Sequence, residues 1–292
     1  MTHPYASEAY ARAFPPAYTP VYLEQAKSWA LKRPIAGTPY FDAMGCYPLT
    51  PIAENADLAQ DFDKLRAQGL VSLVLVTDPF FSPDPAVLQS AFDLAVPYKE
   101  HYLNDFSLPG VYDSKNHHYK VRRALKSCEV KKIELRDYLD EWCALYDALI
   151  VKHDMRGIQA FSRDYFEKLC ALEPVAVGAF ANGALISCQL WLAHEGYVYS
   201  HLVASNEEGY RIRAAYAVYD FSLRYFKERG AKAVDLGSGA GVSESSGGLA
   251  MLKKGFSTKT APCYLCGKIL NPDIYAALSA NKKTAFFPAY RG

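Results

Sequence analysis

Residues 175–205 read VAVGAFANGALISCQLWLAHEGYVYSHLVAS, and the expected fold follows from this segment. Short turn sequences at 181–183 and 195–196 divide it into three apolar runs. Runs of four to nine apolar and β-branched residues between glycine-containing turns are typical of strands joined as hairpins. The stretch therefore predicts three antiparallel strands in a meander.

The residues after the meander predict a helix and then another strand. Residues 212–228 are apolar at helical spacing and are followed by Gly230, and 231–236 read as a strand. A short helix around 252–256 and a last strand near 263–270 complete the order. Because two strands joined through a helix run parallel, the meander is expected to continue into a parallel pair. This order predicts an α/β protein with a mixed sheet.

The first hundred residues predict a smaller α/β unit. Leu70–Val76 reads as a buried strand, between a helix that ends at Gly69 and a helix that Asp84 and Pro85 begin. The first fifty residues, which are rich in proline, read as irregular structure with one short helix at 21–30.

Bulk composition excludes several classes of protein. The formal net charge of +1 argues against a polycation that binds nucleic acid or membranes through its whole surface. Seven cysteines, an odd number lying in apolar patterns, favour reduced thiols and a cytoplasmic protein. The sequence predicts no membrane span, since its longest apolar run is too short to cross a bilayer. It also predicts no metal site, because Cys263 and Cys266 have no second pair nearby.

A basic segment marks the expected boundary between two halves. Residues 111–132 contain seven Lys or Arg and two Asp or Glu. Lys120 and Arg123 lie in this segment and are candidates for binding an anionic substrate or a tRNA acceptor stem. A solvated helix face is the alternative interpretation. The predicted domains are 1–114 and 115–292.

A glycine-rich loop follows the strand at 231–236. The sequence Val234–Gly241, taken alone, resembles the loop that binds S-adenosylmethionine in Rossmann-like methyltransferases. We reject that interpretation, because too few residues follow for the further βα units of a doubly wound sheet. The glycines are instead expected to let the backbone approach a ligand, with an ordinary surface loop as the alternative.

Several ordered motifs resemble the FemAB-type branch of the GNAT acyltransferase superfamily. They are Val203-Ala204-Ser205-Asn206, Val234-Asp235-Leu236-Gly237, Lys253-Lys254-Gly255-Phe256 and the ending Phe286-Phe287-Pro288-Ala289-Tyr290-Arg291. This sequence departs from the branch at Ser238, where glycine is usual, and at Leu252, where phenylalanine is usual. The resemblance implies a GNAT-like fold, with two GNAT-like lobes of which the N-terminal one is reduced.

The resemblance also implies site residues. Lys253 matches the lysine that stabilises the acyl-transfer intermediate in the branch, where a fixed ammonium offsets the charge on the carbonyl oxygen. The alternative is a solvated lysine. The implied donor-binding residues are Ser205, Asn206, Asp235, Gly237 and Gly239.

Three further residues near the end of the meander are candidates. Arg211 and Arg213 could bind a pyrophosphate or a tRNA phosphate, or could be ordinary surface charges. The segment lacks the glycine-rich pattern of coenzyme A-binding GNAT enzymes and carries two glutamates, which argues against coenzyme A. His201 could serve as a base, with a hydrogen-bonded core histidine as the alternative.

The sequence therefore predicts a transferase that moves an acyl or aminoacyl group to the amine of a small molecule or peptide. The expected co-substrate is aminoacyl-tRNA or acyl-CoA, with no permanently bound cofactor. An N-acetyltransferase that uses acetyl- or acyl-coenzyme A is the first alternative. A degenerate GNAT module that binds tRNA or peptide without catalysis is the second.

Overall fold

The computed structural model describes residues 2–108, 115–239 and 247–292. Contacts divide the chain into two compact units, which we call unit 1 (Glu100–Ala261) and unit 2 (Thr2–Lys99 with Pro262–Gly292). The strands are β1 (Thr19–Leu23), β2 (Ser28–Pro34), β3 (Phe41–Gly45), β4 (Leu70–Val76), β5 (Leu94–Asp105), β6 (Glu129–Ile133), β7 (Val175–Ala181), β8 (Ala184–His194), β9 (Tyr197–Ser205), β10 (Ala233–Asp235) and β11 (Lys259–Ile269). The helices are α1 (Glu8–Ala11), α2 (Leu58–Ala67), α3 (Pro85–Ala91), α4 (Lys115–Leu125), α5 (Leu139–His153), α6 (Arg163–Leu169), α7 (Glu207–Ile212), α8 (Ala214–Glu228), α9 (Gly248–Phe256) and α10 (Pro272–Ser279).

The sheet of unit 1 has the strand order β5-β10-β9-β8-β7-β6. Strands β6 to β9 pair antiparallel in sequence order, which confirms the predicted meander. Helix α8 then leads to β10, which pairs parallel with β9 and antiparallel with β5. The predicted parallel pair after the meander is therefore confirmed.

The main core of unit 1 lies between α8 and the sheet. Trp191 of β8 is fully buried, and its indole nitrogen donates to the Ser222 hydroxyl of α8 at 3.2 Å. Phe226 of α8 contacts the same indole edge-on. Helices α5 and α6 carry a second cluster of aromatic rings, in which Trp142 and Tyr146 contact Phe166. Burial of such large side chains is the main driving force for holding the helices on the sheet.

Unit 2 repeats the strand pattern of unit 1 on a smaller scale. Strands β1, β2 and β3 pair antiparallel, α2 leads to β4, and β4 pairs parallel with β3. The last strand, β11, pairs antiparallel with β4. A meander that continues through a helix into a parallel strand is thus present in both units, as expected for two GNAT-like lobes of which the first is reduced.

One expectation about secondary structure differs from the structure. The helix predicted at 21–30 is wrong: β1 and β2 form a hairpin there, with Tyr22 opposite Trp29 and Lys27 at a positive φ of 54° in the turn. The C-terminal strand β11 pairs with β4 and lies in unit 2. The division into 1–114 and 115–292 stays a prediction.

Within the three described ranges, no helix is both long and apolar enough to span a bilayer. The same ranges contain no group of three His, Cys, Asp or Glu side chains placed to hold a metal ion.

Candidate active site

Strands β9 and β10 of unit 1 start as neighbours and then separate. They pair at three positions, the last of which joins Tyr199 to Asp235. Beyond it β9 continues to Ser205, whereas the chain after β10 bonds to β5 instead, through Leu236 N to Tyr102 O at 2.9 Å. We call the resulting gap, between Ser200–Ser205 and Leu236–Gly239, the wedge.

The wedge exposes one edge of β9. On its other side β9 remains paired with β8 as far as Ser205, so this arm is held in place. Among the described residues, no strand pairs with Ser200–Ser205 on the wedge side. Unpaired backbone groups on a fixed strand can accept an extended ligand by adding hydrogen bonds to the sheet edge.

Unit 2 differs at the corresponding place. Its parallel pair, β3 and β4, is followed by a further parallel bridge between Thr50 and Thr77. The Thr50 N–H donates to the carbonyl of Val76 at 2.7 Å. Thr50 also fills the space beside Gly45, since a Cβ there would lie 2.0 Å from its hydroxyl. This bridged pair lacks the separation seen in unit 1, so the candidate site belongs to unit 1.

The turn after β10 is built around Gly237. Its φ of 77° lies in the left-handed region, which favours glycine. Its N–H donates to the Asp235 carboxylate at 2.7 Å, and its carbonyl accepts from Tyr102 N at 3.1 Å. These bonds fix the arm of the wedge that carries Ser238 and Gly239.

Lys253 reaches this turn from α9. Its side chain is buried, and its Nζ donates to the carbonyl of Ser238 at 2.8 Å. A Cβ on Gly237 would lie only 2.9 Å from Nζ, so the absence of a side chain at this position leaves room for the Lys253 ammonium. Lys254, by contrast, is exposed. The structure thus places Lys253, and not its neighbour, against the backbone at the β10 arm of the wedge.

Helix α9 is anchored on both sides of Lys253. Leu252 and Phe256 are buried in the core, and the ring of Phe256 stacks on Tyr219 of α8 at 5.7 Å. The Leu252 carbonyl oxygen lies 3.2 Å from His117 Nε2 of α4. Leu252, which departs from the aromatic residue usual in the FemAB-type branch, therefore keeps a buried position.

A polar cluster that the sequence analysis missed lies where the strands separate. Ser200, the first β9 residue beyond the pairing, accepts a hydrogen bond from Gln189 of β8 at 2.8 Å. The hydroxyl of Tyr219 lies beside both side chains, and burial raises its pKa to about 12, so that it remains protonated at neutral pH. In the sequence, the signal for this cluster is the presence of polar residues inside the apolar strands β8 and β9. Such residues more often have a structural role than a functional one.

A second missed feature is the pairing of Asp235 with His101 of β5. His101 Nδ1 lies 2.9 Å and 3.0 Å from the two carboxylate oxygens, and both side chains are buried. The sequence predicts Asp235 as a donor-binding residue. In the structure its oxygens are bonded to His101 and to Gly237, so it holds the turn and the imidazole in place.

The other predicted residues of β9 and the following loop have local partners. The Ser205 hydroxyl lies 2.8 Å from that of Ser187, and the Asn206 side chain caps α7 by accepting from Gly209 N at 2.9 Å. His201 is buried, with Nε2 2.9 Å from the Tyr165 hydroxyl. This position favours the core-histidine interpretation of His201. Its role as a base, like the donor-binding roles of Ser205 and Asn206, stays a prediction.

Burial of His201 gives a testable pH dependence. Desolvation lowers its pKa to about 3, whereas the unfolded chain binds this proton near its ordinary value, about 6.5. Between these values the unfolded state binds more protons, so stability falls as pH falls, by up to about 1.4 kcal/mol per pH unit. We expect His201→Gln to flatten the dependence of the unfolding free energy on pH between 6 and 4. Equal slopes for both proteins in urea titrations would contradict this prediction.

The four basic candidates lie on exposed or partly exposed surface. Arg211 is exposed and ion-paired with Glu208, and Arg213 is exposed at a positive φ of 62° between α7 and α8. Lys120 donates to the Tyr216 hydroxyl at 3.1 Å and lies over its ring, whereas Arg123 is exposed on α4. The described structure assembles none of these four with Lys253.

Comparison with known proteins agrees with this geometry. Residues 115–242 match the family model of an acetyltransferase (GNAT) domain. A search of curated proteins gives no significant match.

Three solved structures share the fold. The C-terminal domain of a protein named as a lysylphosphatidylglycerol synthetase, from Agrobacterium fabrum, is 18% identical with a TM-score of 0.65, over 93% of this chain and 89% of that chain. FemX is 13% identical with a TM-score of 0.65, over 93% of each chain. L-PGS from Bacillus licheniformis is 13% identical with a TM-score of 0.61, over 87% and 85%. The expected GNAT-like fold is confirmed: residues 115–242 match the model of a GNAT domain, and the chain shares its fold with these three structures, FemX among them.

Proposed function

We propose that unit 1 transfers an acyl or aminoacyl group from an activated ester or thioester to an amine of a small molecule or peptide. The acyl donor lies along the free edge of β9 with its carbonyl near the turn at Gly237. The amine nitrogen attacks the carbonyl carbon directly, a C–N bond forms, and the C–O or C–S bond to the leaving group breaks. No covalent enzyme intermediate is formed.

The position of Lys253 carries this proposal. Attack by the amine places negative charge on the carbonyl oxygen, and a buried ammonium at a fixed position can stabilise that charge without reorganising. Its hydrogen bond to the carbonyl of Ser238 directs Nζ at an oxygen on the wedge arm. A lysine ammonium has three donors, so an oxyanion can be bound while the bond to Ser238 is kept.

The start of α7, which directly follows β9, supports an aminoacyl-tRNA donor over coenzyme A. A pyrophosphate needs free backbone N–H groups and positive charge at that place. Here the Asn206 side chain takes the Gly209 N–H, two glutamates stand in the first turn, and Arg211 is ion-paired with Glu208. The segment therefore lacks the positive charge and the available N–H groups that would favour binding of a pyrophosphate.

Coenzyme A binding gives a direct test of the donor class. We expect 1 mM coenzyme A to leave the melting temperature of the full chain unchanged in differential scanning fluorimetry. If coenzyme A bound with a dissociation constant near 10 µM, it would add about 2.7 kcal/mol of stability at this concentration. A clear upward shift would favour the N-acetyltransferase alternative.

Transfer itself can be measured with a generic acceptor. The full chain is incubated with total tRNA charged with radiolabelled amino acids and a peptide that has a free α-amine and a lysine side chain. Label in the peptide, identified by mass spectrometry, supports the proposal. Transfer from acetyl-CoA alone would support the first alternative. Salt-sensitive tRNA binding without transfer from either donor would favour the non-catalytic module.

A further inference from the structure

We infer that His101, oriented by Asp235, accepts the proton that the attacking amine must lose. This inference rests on the proposed acyl transfer and adds to it a catalytic base that Lys253 cannot supply. An ammonium that stabilises an oxyanion has to stay protonated, so the amine proton needs a different acceptor. A neutral imidazole is the side chain that most often fills this role.

The hydrogen bond to Asp235 fixes which imidazole nitrogen is basic. A carboxylate only accepts hydrogen bonds, so His101 Nδ1, at 2.9 Å and 3.0 Å from its oxygens, carries the proton in the neutral ring. Nε2 is then the nitrogen with a free lone pair. Within the described ranges, no hydrogen bond joins Nε2 of His101 to another residue. The carboxylate also stabilises the imidazolium that forms when Nε2 takes a proton.

The turn at Gly237 connects this pair to Lys253. The Gly237 N–H donates to the same Asp235 carboxylate that binds His101, and the Cβ position of Gly237 lies 2.9 Å from Lys253 Nζ. The histidine–aspartate pair and the ammonium thus flank one turn at the wedge. One side offers a positive charge for the carbonyl oxygen, and the other offers a base for the amine.

Two other histidines near the site, His201 and His117, already have polar partners at Nε2. His201 Nε2 is bonded to the Tyr165 hydroxyl, and burial lowers the pKa of its imidazole to about 3. His117 Nε2 contacts the Leu252 carbonyl oxygen, and burial lowers the pKa of His117 as well. His101 has the arrangement that an effective base requires.

The proton that the amine loses is returned to the leaving group, so the step balances. As the amine nitrogen bonds to the carbonyl carbon it becomes positively charged, and its proton passes to His101 Nε2. When the C–O or C–S bond breaks, the imidazolium returns that proton to the leaving oxygen or sulfur. The enzyme ends in its starting protonation state, with an amide and a free alcohol or thiol as products.

The test compares His101→Gln, His101→Ala and Asp235→Asn with the wild-type chain in the labelled-tRNA transfer assay. We expect His101→Gln to lower the single-turnover transfer rate by about 10²–10³-fold while tRNA binding is unchanged. Added imidazole should restore part of the rate of His101→Ala, which a purely structural role would not allow. Asp235→Asn should lower the rate at unchanged tRNA binding, because it weakens the orientation of His101.

Two outcomes separate this inference from the proposed function. If the wild type transfers label and His101→Gln keeps more than a third of its rate, the inference is overturned and the proposed function stands. Loss of rate in His101→Ala without any rescue by imidazole overturns the inference too. If the wild type transfers label from no donor, both are overturned.

Discussion

The Lys253→Met variant is expected to transfer acyl or aminoacyl groups roughly 10²–10³-fold more slowly than the wild type, with donor binding little changed. Methionine keeps the unbranched chain that packs beside Gly237 but removes the ammonium. Loss of one oxyanion donor typically costs about 3–4 kcal/mol of transition-state stabilisation, and this cost appears in kcat. Single-turnover rates in the labelled-tRNA assay, with filter binding of tRNA, measure the two effects separately.

Lys254→Met is the matched control. It removes the same charge one residue away, but Lys254 is exposed whereas Lys253 is buried against Ser238. We expect Lys254→Met to retain nearly full activity. Equal losses in the two variants would indicate a general electrostatic effect on tRNA binding and would contradict an oxyanion role for Lys253. Unchanged thermal unfolding of both variants is required for this comparison.

Several larger features of the fold could be predicted because local sequence determines them. The turns at 181–183 and 195–196 separate strongly β-prone runs, and β7, β8 and β9 form where these runs lie. Leu70–Val76 is a strand with the predicted bounds for the same reason. Lys253 was found through a resemblance; the structure buries it beside Gly237, and its catalytic role stays a prediction.

The missed elements depend on partners far away in the sequence. Strand β5 contains Pro97 and many polar residues, so its sequence does not read as a strand, and pairing with β10 stabilises its C-terminal half. His101 lies on that half, 134 residues from Asp235. No spacing rule joins residues so distant, and the candidate base was therefore not visible in the sequence.

The hairpin of β1 and β2 shows a different limit. Its turn uses Lys27 at a positive φ where glycine or asparagine would have given a turn signal. Without that signal, the apolar residues between 21 and 30 fit a helix as well as two strands. Pairing of β2 with β3 favours the two strands over the helix, and this pairing cannot be recognised from the local sequence.

Asp42→Ala is expected to cause the largest loss of stability, lowering the free energy of unfolding by about 3–5 kcal/mol. The destabilised part of the chain is unit 2. The Asp42 carboxylate is fully buried and accepts from Arg33 Nε at 2.8 Å, from Arg291 Nε at 2.7 Å and from the Tyr290 hydroxyl at 2.9 Å. Removing one member of a buried ion pair leaves the opposite charge desolvated and unpaired, and here two guanidinium groups would be left facing each other. Urea unfolding, with hydrogen exchange of the segment 28–45, measures the loss.

This network also explains why the C-terminal tail is attached to unit 2. Arg291 donates to the carbonyl of Pro34 as well as to Asp42, so the tail connects the ends of β2 and β3. Arg291→Ala should therefore destabilise the same segment, by less than Asp42→Ala because Arg33 keeps its partner. Asp63→Ala is the control, since its ion pair with Arg66 lies on the surface and contributes little. If Asp42→Ala costs less than about 1 kcal/mol, the tail is not held by this charge network, and burial of Tyr290 against Ile35 and Val71 must hold it instead.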